Sequence, residues 1–168
     1  FPGQGSQSLG MLAELAARSP VVRATFDEAS AGAGADLWAI SQQGPEAELN
    51  RNEFPQPALL AAGVAVWRAW HEAGGAAPMH LAGHSLGEYT ALTFAGAIDF
   101  ETGLRLVQGR GRAMQAAADL TPSGMVSVEA TTRFAHSTMT GVMGSGQPMT
   151  RLPAMAVTCP SATMTRNA

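Results

Sequence analysis

The sequence predicts an α/β domain, a parallel sheet with flanking helices, and two stretches carry that prediction. A short apolar run, Met79-His80-Leu81-Ala82, enters a glycine-rich turn, Gly83-His84-Ser85-Leu86-Gly87-Glu88, and leaves through helix-forming Tyr89 to Ala95. Farther on, Gly124-Met125-Val126-Ser127-Val128 reads as a second strand. Strands separated by helices pack as a parallel sheet, and ligands of such a domain gather at the carboxyl ends of the strands.

The remaining elements follow in order. Phe1-Pro2-Gly3 reads as the end of a strand whose beginning is missing, so the chain is expected to be a fragment at its N-terminus. Gln4-Gly5-Ser6-Gln7 is a polar, glycine-rich loop. A helix is expected from about Leu9 to Arg18, stopped by Ser19-Pro20. A second runs from Val21 to Ala31, with Val22, Phe26 and Ala29 on one face. Gly32-Ala33-Gly34 is a linker, Asp36 caps a short turn through Ile40, and Glu46 to Asn50 is a short helical piece. Pro55 and Pro57 open a long helix to about Ala73, closed by Gly74-Gly75. Leu60, Val64 and Trp67 lie on one stripe of it and Leu59, Val66 and Trp70 on the next, which predicts a central helix. Asp99 starts a helix to about Ala118 with Leu104, Val107, Gly111 and Met114 on one side.

The chain of 168 residues has one domain's length and enough residues for a core. Its net charge of −3 comes from ten arginines, no lysine and thirteen acidic residues. No basic stripe suits nucleic acid, and no run suits a membrane helix or a signal peptide. The single cysteine, Cys159, excludes an internal disulfide framework and fits a reducing cytoplasm. From Glu129 the character changes. The last forty residues hold one acidic residue, eight threonines and five of nine methionines, without a sustained helical or alternating period. A translation that left its proper frame would have this composition. Residues 129–168 are therefore expected to be an atypical tail, frame-shifted or disordered.

The turn at Ser85 carries the chemistry. A serine at the apex of a strand–turn–helix is forced into a strained conformation that lifts Oγ clear of its neighbours. Glycines two before and two after it relieve the crowding, and the helix start places unpaired N–H groups beside the oxygen. Ser85 is thus the candidate nucleophile for attack on a carbonyl. The plainer alternative is a glycine-rich turn with an incidental serine. The adjacent His84 points its ring away and reads as a spacer rather than a base. His71 reads as a helix-surface residue and His80 as a strand residue, while Glu88 suits the first turn of a helix.

Three islands belong together: Phe1 to Gln7, Gly83 to Glu88, and Gln108-Gly109-Arg110-Gly111-Arg112-Ala113-Met114-Gln115. They resemble the malonyl-CoA:acyl-carrier-protein transacylases of fatty-acid synthesis and the homologous acyltransferase domains of polyketide synthases. Gln56-Pro57-Ala58-Leu59-Leu60 matches a further segment, and the resemblance covers about residues 1–128. It implies a partial, α/β-hydrolase-like large subdomain over 1–128. It also implies that Ser85 takes a malonyl group from coenzyme A as an ester and yields it to the phosphopantetheine thiol of acyl carrier protein. The backbone N–H groups of Leu86 and Gln4 match the family's oxyanion hole, where loss of one donor costs about 3–4 kcal/mol. Arg110 matches the residue that holds the substrate's free carboxylate, which a guanidinium can do with two parallel bonds. A solvated helix arginine is the alternative, and the expected fate of Arg105 and Arg112.

The resemblance further implies a cytoplasmic monomer that needs no metal or cofactor besides the malonyl-CoA substrate. The family's base is a histidine in its second half, beyond a small inserted subdomain, with a supporting glutamine later still. This chain ends before either, and His136 lies too near Ser85 in sequence to be that histidine. Competing readings are a polyketide synthase acyltransferase domain, a serine esterase or lipase sharing the G-x-S-x-G turn, and a non-catalytic remnant that only binds acyl-CoA or carrier protein.

Overall fold

The computed structural model describes residues 1–49, 53–120, 123–132 and 135–144, with side-chain positions up to residue 120. Seven helices and two strands follow one another: α1 (Ala13–Arg18), α2 (Pro20–Ala33), α3 (Leu37–Gln43), α4 (Glu46–Leu49), α5 (Pro55–Glu72), α6 (Leu86–Phe94), α7 (Phe100–Leu120), β1 (Ser123–Thr132) and β2 (Ala135–Gly144).

The helix ends follow local chemistry. α1 starts later than the expected Leu9, because Gly10 and Leu12 take left-handed conformations (φ 76° and 63°) that no helix can contain. Ser19-Pro20 both stops α1 and opens α2, where the proline stands in the first turn. Asp36 accepts a bond from the Ala39 N–H at 2.8 Å, and the segment it caps extends to Gln43 rather than ending at Ile40. α7 is capped by Asp99, which accepts from the Thr102 N–H at 2.7 Å and from its hydroxyl at 2.9 Å. The first of these bonds is the main reason the Asp99 carboxyl sits below its ordinary pKa.

α5 is the hub, packed against α2, α6 and α7. Every residue from Pro55 to Ala61 is buried, and Val64 and Ala65 continue the buried face. Val22, Phe26 and Ala29 of α2 and Leu104 and Val107 of α7 close the core around it. Of the expected second stripe only Leu59 is buried, whereas Val66 and Trp70 are 44% and 52% exposed. Trp70 instead donates its indole N–H to the Ala76 carbonyl at 3.0 Å.

The sheet differs from the expectation. Gly124–Val128 does lie in a strand, but β1 pairs antiparallel with β2, from Ser123↔Gly144 to Thr132↔Ala135. The pairing therefore runs on past residue 128, into sequence that showed no alternation. Threonine and valine side chains suit a pleated strand, so hairpin pairing proceeds there without a clear two-residue pattern. Residues 145–168, with Cys159, lie outside the described residues. No parallel ladder joins Met79–Ala82 to β1. A single parallel rung does join Phe1 to Gly83: the Phe1 amine donates to the Ala82 carbonyl, and the His84 N–H donates to the Phe1 carbonyl at 3.1 Å. That slanted pair is the unit of a parallel ladder. No helix among the described residues is long and apolar enough to cross a membrane.

Candidate active site

Ser85 precedes α6 with φ 53° and ψ −109°, a positive φ that a non-glycine residue adopts only when its surroundings impose it. The surroundings are two close backbone approaches. A Cβ on Gly83 would lie 2.0 Å from the Gly87 carbonyl oxygen, and one on Gly87 would lie 2.1 Å from that of Phe1. Only glycines allow the turn to fold this tightly, and the rung between Phe1 and Gly83 holds its entry. The Gly87 N–H donates to the His84 carbonyl at 2.9 Å and the Glu88 N–H to the Ser85 carbonyl at 3.1 Å, leading directly into the helix.

The 3–7 loop packs against the same turn. A Cβ on Gly3 would stand 2.8 Å from the His84 carbonyl oxygen. The loop is tied to itself by Ser6 Oγ donating to the Gly3 carbonyl at 2.7 Å and by the Gly5 N–H donating to Gln7 Oε1 at 2.8 Å. Leu86 directly follows the serine, with its side chain fully buried and its backbone at the first position of α6.

Arg110 reaches this turn from the middle of α7. Its Nη2 donates to Ser85 Oγ at 2.8 Å, and its Nη1 donates to Gln56 Oε1 at 2.8 Å. Gln56 Nε2 in turn donates to Gln4 Oε1 at 3.2 Å. Ser85, Arg110 and Gln4, chosen from the sequence, are therefore joined in one hydrogen-bonded chain, with Leu86 next to the serine. The structure confines Arg105 and Arg112 to the surface: Arg105 contacts Thr102 at 3.2 Å and Arg112 pairs with Glu53 at 3.8 Å. His84 and Glu88 are exposed. Among the described residues, no histidine is hydrogen-bonded to Ser85 Oγ, and no group of three metal-binding side chains occurs. His136 falls on β2, and its side chain lies outside the described residues.

Gln56 is the functional-site residue that sequence reasoning passed over. It entered only as part of a matching segment. The available signal was a polar amide between two prolines at the head of an apolar helix, where the first turn has no reason to hold a polar side chain unless something meets it.

The acyl transferase domain family matches residues 1–148 of this chain. The chain belongs to that family. Among relatives of this acyl transferase domain, the malonyl CoA-acyl carrier protein transacylase of Salmonella typhimurium is 57% identical over 128 residues, which are 76% of this chain and 41% of that protein. The crystal structure of malonyl-CoA:acyl carrier protein transacylase from Xanthomonas oryzae is 60% identical with a TM-score of 0.73, covering 79% of this chain and 42% of that one. A malonyl-transacylase solved in complex with a type II polyketide acyl-carrier protein is 58% identical with a TM-score of 0.73, covering 78% and 42%. The chain thus spans about two fifths of the length of these proteins. The acyl transferase family match reaches 20 residues past 128, where the sequence resemblance was expected to stop.

Proposed function

We propose that this acyl transferase domain carries the nucleophile and the carboxylate clamp of a malonyl-CoA:acyl-carrier-protein transacylase of fatty-acid synthesis, acting in the cytoplasm. The observation that carries the reading is the Ser85–Arg110 contact. A guanidinium 2.8 Å from the serine oxygen stands where the free carboxylate of a malonyl group would lie once its other end is bound to that oxygen. An esterase or lipase acting on neutral esters has no use for a cation there.

In the proposed reaction, Ser85 Oγ attacks the thioester carbonyl of malonyl-CoA. The new C–O bond gives a tetrahedral oxyanion, which the N–H groups of Leu86 and Gln4 stabilise. The C–S bond then breaks, and the serine proton leaves with the coenzyme A thiol. The phosphopantetheine thiol of acyl carrier protein attacks the seryl ester in the second half, and Ser85 recovers its proton. Proton transfer needs a base, which in this reading comes from the part of the family beyond the aligned segment. No metal or further cofactor takes part. The Phe1–Gly83 rung fits the first link of the parallel sheet expected of the α/β-hydrolase-like subdomain over 1–128.

The test is a hybrid in which this chain's aligned 128-residue segment replaces that of the Salmonella typhimurium transacylase. It should transfer malonyl groups to acyl carrier protein far faster than acetyl groups. Equal rates, or hydrolysis of neutral esters in place of transfer, would reject the reading.

A further inference from the structure

Gln56 has no exposed surface, yet its amide is fully engaged. Oε1 accepts from Arg110 Nη1 at 2.8 Å, while Nε2 donates to Gln4 Oε1 at 3.2 Å and meets Met114 Sδ at 3.2 Å. A guanidinium only donates, so the amide oxygen must face Arg110 and the NH₂ must face Gln4. The flipped amide would set two donors against each other in a buried place. Pro55 and Pro57 flank Gln56 in the first turn of α5, and the whole of Pro55–Ala61 is buried. Its side chain thus projects from a rigid part of the core.

We infer that Gln56 is the positioning residue that makes Arg110 selective for an acid substrate. The inference rests on Arg110 being the carboxylate clamp. Gln56 grips one edge of the guanidinium from behind, and this leaves the Nη2 edge turned toward Ser85. A fork held this way meets a carboxylate without first losing rotational freedom, which is how preorganisation raises affinity. Gln56 does not face the serine itself, so it acts through Arg110. The same amide also orients the Gln4 side chain, which couples the clamp to the loop expected to supply an oxyanion donor.

The experiment is calorimetric titration of the 168-residue chain with malonyl-CoA and with acetyl-CoA. The readout is the ratio of the two affinities, which needs no base and no turnover. Arg110→Ala should abolish the preference for malonyl-CoA. Gln56→Met should lower that ratio on the order of tenfold, the effect of one charge-assisted hydrogen bond. In Arg110→Ala, adding Gln56→Met should change the ratio no further, because residues acting as a unit are not additive. A purely structural role would weaken both ligands alike. If Gln56→Met does not fold, the near-isosteric Gln56→Glu decides: its carboxylate occupies the guanidinium, so the preference should again fall. An unchanged ratio in either variant, or additive losses in the double variant, overturns the role of Gln56. A wild-type chain that prefers malonyl-CoA leaves the clamp reading standing in that case. A wild-type chain without the preference overturns the clamp and this inference together.

Discussion

Arg110 and Ser85 are 25 residues apart in sequence, and the guanidinium of one donates to the hydroxyl oxygen of the other at 2.8 Å. Two helices make that contact. α6 starts at the serine, α7 crosses with Arg110 near its middle, and both lean on α5, whose first turn supplies the amide behind the arginine. The core therefore sets the distance between the serine oxygen and the cation.

In the hybrid enzyme, Arg110→Ala should lower malonyl transfer by about tenfold to a hundredfold, the loss expected for hydrogen bonds to a charged group. Acetyl transfer should fall much less. Arg110→Lys should rescue poorly, because an ammonium cannot bond Gln56 and a carboxylate with one planar fork. Parallel steady-state kinetics with the two thioesters check this, and equal losses would make Arg110 structural.

Gly87→Ala should damage the fold itself. The added Cβ would lie 2.1 Å from the Phe1 carbonyl oxygen, a backbone atom that cannot turn aside. Forcing that methyl in should cost about 1–3 kcal/mol, the range for overpacked sites, measured by urea unfolding. An alanine variant as stable as the wild type would show that the turn is looser than its geometry.

Stability should carry a trace of Asp99. Its carboxyl is held below the ordinary value first by the Thr102 N–H and then by the Thr102 hydroxyl. A depressed carboxylate stabilises the fold above its unfolded pKa, and that contribution is lost as pH falls through the folded value. The melting-temperature gap between wild type and Asp99→Ala should be full at pH 7 and should narrow below about pH 4. A gap that widens in acid would contradict the cap.

Much of the site was legible because its chemistry is local. The glycine spacing around Ser85 states the turn, and the turn dictates the strained serine and the helix that follows. Arg110 was legible through the family pattern around it and not from its own surroundings, since Arg105 and Arg112 share its helix and point to solvent. Gln56 stayed hidden because its partners are 52 and 54 residues away, at Gln4 and Arg110. Helix faces were read well where the core covers them, as for Val22, Phe26 and Ala29. The outer stripe of α5 was misjudged because periodicity records which residues are apolar, not which neighbours arrive to cover them. The strand at 124–128 was read in the right place, but its antiparallel neighbour was not foreseen, because residues 135–144 show no alternation from which a strand could be read.

The chain alone should be a poor catalyst beside the hybrid. A serine without its general base loses a factor of about 10²–10⁴. Malonyl transfer by the 168-residue chain should therefore fall at least that far below the hybrid in a side-by-side assay. Comparable turnover would mean that a residue of this chain supplies the base.

The nucleophile itself is the central claim, and peptide mapping of the acyl-enzyme tests it most directly. The hybrid is incubated with malonyl-CoA, quenched in acid, digested and examined by mass spectrometry, alongside Ser85→Ala. The account predicts one malonyl ester, on the peptide containing Ser85, and none in the alanine variant while its circular dichroism is unchanged. A malonyl adduct that persists in Ser85→Ala, or that maps to another peptide in the wild-type sequence, would contradict it.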